Sequence, residues 1–112
     1  MKLIHRGSLT AEPVSHDRDI MKMVFLRKGD IPNLVYLSQV SIPPGRLTSE
    51  HSHADLAEVY VVNSGCGELI LDGVSHVINP GSCAAVEPGE RHSFVCLGKA
   101  PLEMTYFGLI CK

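Results

Sequence analysis

The chain has 112 residues, 45% of them hydrophobic, and a formal net charge of −2 with both signs mixed along its length. That length holds one domain, residues 1–112, whose core needs no disulfide or metal staple. There is no basic stripe of the kind a nucleic-acid binder carries, and every apolar run is far short of the roughly 20 residues of a membrane span.

The first ten residues, MKLIHRGSLT, lack the apolar run of a signal peptide, so the expected location is the cytoplasm. Glycines and prolines then punctuate the chain. Between them, runs rich in β-branched and aromatic residues mark strands over 20–27, 34–42, 50–53, 57–63, 68–71, 74–78, 83–86, 92–97 and 102–110. Residues 14–28 and 46–64 contain gap-free stretches that could be helical, with Leu56, Val59 and Tyr60 at helical spacing. The run Val59-Tyr60-Val61-Val62 instead favours a strand that is apolar on both faces. Asp72-Gly73 sits between two strand candidates and suits a two-residue type I′ hairpin, in which both positions need positive φ. Many short strands with turns between them predict an all-β antiparallel barrel or jelly-roll with no helix beyond two turns. The apolar run of Ile20, Met21, Met23, Val24, Phe25 and Leu26 exceeds what one small barrel covers, and predicts a homodimer through this segment.

Cys66, Cys83, Cys96 and Cys111 form no Cys-x-x-Cys pair, so they read as small buried fillers in a reducing compartment. The chemistry lies elsewhere, in two clusters. One is Gly45-x5-His51-x-His53-x4-Glu58-x6-Gly65, and the other is Gly81-x6-Pro88-Gly89-x2-His92. His51 and His53 are two apart, so on a strand both side chains share a face. Glu58 opens an apolar strand and shares a face with Tyr60 and Val62, where a bare carboxylate needs a partner. Each residue alone also reads as solvated strand-end polarity. Together, three imidazoles and a carboxylate make a mixed N/O set for one divalent transition metal, Fe, Mn, Ni, Co, Cu or Zn.

The first cluster resembles the first cupin motif, and Gly81 through His92 resembles the second, with Glu87 and Cys96 in place of a frequent proline and asparagine. The resemblance implies an RmlC-like jelly-roll, commonly dimeric, with His51, His53, Glu58 and His92 around a metal inside the barrel. It spans dioxygenases, decarboxylases, isomerases, lyases and non-catalytic binding modules, so it fixes no reaction. A divalent ion with these ligands carries about +1. If octahedral, it keeps two open positions, suited to a small molecule with adjacent oxygens such as a keto acid, an enediol or a catechol. The catalytic groups stay unassigned.

Around the centre, Tyr60 and Phe94 share faces with Glu58 and His92. Met104 and Tyr106 face in or out by a parity that sequence leaves open. Cys96 is about 13 Å along its strand from His92, too far to be a ligand. Arg46 and Glu50 read as solvated, and His5, His16 and His76 fall outside both motifs.

Overall fold

The structure is a computed structural model that describes residues 1–111. Its strands are β1 (Glu12–Pro13), β2 (Met21–Arg27), β3 (Leu34–Ile42), β4 (Leu56–Ser64), β5 (Gly67–Leu71), β6 (Val74–Ile78), β7 (Cys83–Val86), β8 (His92–Cys96) and β9 (Leu102–Ile110). The one helical turn among the described residues is a 3-10 turn at Arg6–Ser8, where the His5 ring accepts from the Gly7 amide at 2.9 Å. Both stretches with helical potential are strand and loop. Their β-branched and aromatic residues gain more by alternating across a half-buried sheet than by winding into a helix. No helix among the described residues is long and apolar enough to cross a membrane.

Two antiparallel sheets form a jelly-roll. One has six strands in the order β1-β2-β3-β9-β4-β7, and the other has three in the order β6-β5-β8. The β5–β6 hairpin turns at Asp72 and Gly73 with φ of 46° and 82°, the signs a type I′ turn requires. The sheets press their inner faces together. Ile42, Val62, Leu69, Ile78, Cys96, Leu102 and Met104 fill the centre of one continuous core. Gly65 takes φ of 82° where β4 gives way to β5, and any Cβ there would collide with the Pro101 carbonyl, so glycine is required twice over.

The strand expected over 50–53 is absent. Instead, residues 45–51 run beside β8 as an irregular extended segment bridged at Leu47–Val95 and His51–His92. Four residue steps on one side match three on the other, and the Phe94 amide donates to the Thr48 hydroxyl (2.9 Å) rather than to a carbonyl. That extra residue breaks the regular ladder. Reciprocal bonds between the His51 and His92 backbones, 3.1 and 2.9 Å, still fix the two histidines side by side. The cysteine expectation holds only in part. Cys96 is fully buried, but Cys66 and Cys83 are exposed, Cys111 is half-buried, and all four are free thiols.

Candidate metal centre

Glu58 is the hub. It lies at the inner face of β4, directly opposite Gly108 of β9, which is in turn opposite Tyr36 of β3. A Cβ on Gly108 would come within 2.9 Å of the Tyr36 ring. The missing side chain is what lets Tyr36 reach across β9 and donate its hydroxyl proton to Glu58 Oε2. Tyr60, two residues along β4, donates to Oε1 at 2.9 Å. His92 Nε2, projecting from the facing sheet, lies 3.0 Å from Oε1. Burial pushes the Glu58 carboxyl up, but the hydrogen bonds from His92, Tyr36 and Tyr60 outweigh it and lower the pKa to about 2. The same carboxylate works against ionising its donors. Burial and the Glu58 charge raise Tyr36 and Tyr60, and push Tyr106 up to about 12.

The remaining imidazoles converge on the same oxygen. Nε2 of His53 is 3.3 Å and Nε2 of His51 is 4.0 Å from Glu58 Oε1. Donor atoms of His51, His53, Glu58 and His92 all lie within 4.8 Å of one another. Four donors this close together could hold one divalent ion.

Hydrogen bonding shows that the set suits a cation. His51 Nδ1 faces the Ser49 carbonyl at 3.2 Å and His92 Nδ1 faces the Glu90 carbonyl at 3.1 Å. A carbonyl can only accept, so each Nδ1 carries the proton and each neutral ring turns a bare Nε2 lone pair inward. For His92 that lone pair then meets a carboxylate oxygen at 3.0 Å, two acceptors that need a proton or a metal between them. Without the metal a proton serves. Burial lowers the His92 pKa, but the hydrogen bonds to Glu58 and Glu90 outweigh it and leave the pKa raised. Burial instead lowers that of His51. His53 Nε2 is buried with no hydrogen-bond partner among the described residues, an orphan that a bound ion would satisfy.

The hub opens into a cavity of about 140 Å³. Its walls include Tyr60, Phe94, Met104 and Tyr106, so both residues of undecided parity face inward. Cys96 instead points its thiol at the Ala100 carbonyl, 3.2 Å away and outside the donor set.

Two features escape a motif reading. His16 stacks on His51, with ring centroids 4.5 Å apart, and lines the cavity despite lying outside both motifs. It rides on a tight loop between β1 and β2, closed by Val14 N to Ile20 O (2.8 Å) and Ile20 N to Asp17 O (2.9 Å). That loop is tied to the first motif through buried Asp17, which accepts from the Ser49 amide (3.0 Å), the Ser49 hydroxyl (2.7 Å) and Arg46 (3.1 Å). Arg46 also grips Asp19 with two 2.9 Å bonds, and Glu50 pairs with Arg91, so neither Arg46 nor Glu50 is simply solvated.

Residues 38–108 match the family model described as Cupin domain. A structure titled as a predicted oxalate decarboxylase from Thermotoga maritima superposes with a TM-score of 0.88 at 22% identity, covering 97% of this chain and 99% of that one. KdgF from a Halomonas species gives 0.81 at 18%, covering 97% and 94%. The polyketide cyclase RemF from Streptomyces resistomycificus gives 0.80 at 23%, covering 100% and 80%.

Proposed function

Since the chain belongs to the cupin family, we propose that it is a single cupin domain that binds one divalent transition metal through His51, His53, Glu58 and His92, and that it is a metal-dependent enzyme acting on a small oxygenated molecule. The observation that carries the metal reading is the convergence of two imidazole Nε2 atoms on one carboxylate oxygen, His92 at 3.0 Å and His53 at 3.3 Å from Glu58 Oε1. His53 Nε2 is buried and forms no hydrogen bond among the described residues, and His92 Nε2 faces a carboxylate oxygen. A divalent ion there would supply Lewis acidity or oxygen activation to a substrate with adjacent oxygens. The chain's own contribution is orientation. Ser49 and Glu90 set the imidazole tautomers, and Tyr36 and Tyr60 hold Glu58 ionised and aimed at the centre.

A binding module without catalysis is the second reading. The open cavity beside the centre favours a ligand over a plugged structural barrel. At about 140 Å³ it is well below the roughly 300–1,000 Å³ of drug-sized pockets, so the ligand is metabolite-sized. The superposed structures named as a decarboxylase and a cyclase are consistent with an enzyme, at identities that fix no reaction. We further infer a cytoplasmic homodimer. The two residues of β1 pair only with Lys22 and Met21, which leaves the rest of the β2 edge unpaired, and Met21 is exposed. Light scattering that reports a monomer at tens of micromolar would overturn the dimer.

Metal titration of the metal-free protein tests the centre. Wild type should take up one equivalent of Mn(II), Fe(II), Ni(II) or Zn(II). If it takes up none, or if His53→Ala binds as tightly, the metal assignment is wrong.

A further inference from the structure

Lys22 breaks the pattern of its strand. It lies directly opposite Val40 across β2 and β3, and directly opposed residues share a face. Val40 is a core residue, as are Ile20 and Val24, the inner-face residues on either side of Lys22. Lys22 is half-buried, and it lines the same cavity as the metal centre. An ammonium at a core-facing position is costly unless something pairs with it.

Among the described residues no carboxylate lies within ion-pair distance of Lys22, although Glu12 across the ladder feels its charge. Glu12, its direct neighbour on β1, gives both carboxylate oxygens to Arg27, at 3.2 and 2.5 Å. Asp17, the other acidic residue on the cavity wall besides Glu58, is held by Ser49 and Arg46. With a divalent ion on three neutral imidazoles and one carboxylate, the centre carries about +1. Lys22 adds a second positive charge to a space otherwise walled largely by apolar and aromatic side chains.

We propose that Lys22 is the specificity residue of this cavity, pairing with a carboxylate at the far end of a small oxo- or hydroxy-acid whose other end reaches the metal centre; the ligand is thus a small oxygenated dicarboxylate. This rests on the metal reading above for the near end of the ligand. The far end rests on Lys22 alone. A cation at the cavity wall selects charge, and the modest cavity selects a short chain.

The probes are 2-oxoglutarate and 2-oxopentanoate, which share a keto-acid end and differ in the distal carboxylate. Binding of each is measured by calorimetry to wild type, Lys22→Met and Lys22→Arg, on protein whose metal content has been measured first. Wild type should prefer 2-oxoglutarate by about tenfold, the size of a charge-assisted pair. Lys22→Met should lose that preference while binding 2-oxopentanoate as before, and Lys22→Arg should keep most of it. All three should hold the same metal content. A wild type that takes both probes equally or takes neither, or a Lys22→Met variant that keeps the preference, overturns the proposal. A wild type without metal overturns the metal reading instead, and the ratio between the two probes still reports on Lys22.

Discussion

The two ends of the sandwich interior are built on the same strands and do opposite things. Along the inner face of β4 the sequence runs Glu58, Tyr60, Val62, and along β8 it runs His92, Phe94, Cys96. The first layer pairs carboxylate with imidazole at 3.0 Å. The second packs aromatic rings at a tilt, with the Tyr60 and Phe94 centroids 4.7 Å apart. The third is apolar, closed by Val62, Cys96 and Leu102. Polarity thus falls away layer by layer from the centre. The apolar layer backs the histidine and carboxylate cluster with buried packing, and the aromatic layer lies between the two.

If the layers divide the work in this way, damage to one end should leave the other intact. Leu102 is fully buried in the apolar layer and absent from the cavity wall. Leu102→Ala should cost about 2–5 kcal/mol of stability by leaving a cavity. Chemical denaturation reads this loss, and metal affinity should not change. The converse is His53→Ala. Loss of an outer-shell partner typically weakens metal binding 10–100-fold, so loss of a ligand should weaken it at least about 100-fold. Competition against a chelator reads this, with little change in the denaturation midpoint of the metal-free protein.

Acid sharpens the contrast, because protons act only at the polar end. Metal binding needs a neutral His92. Its raised pKa means that proton competition begins above the ordinary histidine value of 6.5, and affinity should fall about tenfold per pH unit below the His92 pKa. His51, whose pKa is lowered, should join only at lower pH. The metal-free protein should follow the opposite trend. A raised folded-state pKa for His92 contributes stability that is fully present below 6.5 and lost as pH rises through the folded value. The lowered Glu58 pKa contributes stability that is present above 4.5 and lost as pH falls towards about 2. Thermal unfolding of the metal-free protein should therefore occur at lower temperature at pH 9 than at pH 6. The two contributions describe one His92–Glu58 contact and are not added.

Gly108→Ala probes the join between sheet and site. A Cβ 2.9 Å from the Tyr36 ring must push the phenol away from Glu58. Loss of one hydrogen bond to a buried carboxylate should cost about 1.5–3 kcal/mol in the metal-free protein. Near-ultraviolet circular dichroism of the tyrosines should change with it. Tyr36→Phe, which removes the same bond without the clash, should cost about as much; a Gly108→Ala protein as stable as wild type would show that Tyr36 does not depend on the gap.

The strands and the grouping of His51, His53, Glu58 and His92 were legible because their signals are local. Asp72-Gly73 needs only its own φ angles, and the inner face of β4 follows from alternation of Glu58, Tyr60 and Val62. What stayed hidden depends on which strands become neighbours. Tyr36 reaches Glu58 only because β9 inserts between β3 and β4 and places Gly108 between them, three segments far apart in sequence. The parity of Met104 and Tyr106 is settled by the same pairing. The segment around His51 reads as a strand by composition, but an extra residue in its pairing with β8 makes it irregular. Lys22 falls within an apolar run, and only the Lys22–Val40 register reveals that it points inward.

The smallest expected effect concerns His16. It lies outside both motifs, and a motif reading predicts that its removal leaves metal binding unchanged. The structure stacks it on His51 at 4.5 Å, on a loop pinned by Asp17, so it constrains the ring plane of His51. Aromatic pairs contribute about 0.5–1.5 kcal/mol, and exposure of His16 puts this one at the low end. His16→Ala should therefore weaken metal binding by roughly two- to threefold. His76, exposed on β6 of the other sheet, is the matched control, and His76→Ala should have no effect. Chelator competition at pH 8 separates the two variants. A His16→Ala protein that matches His76→Ala would confine the centre's support to the motif residues. One that loses as much affinity as His53→Ala would make His16 a ligand and require a different coordination set.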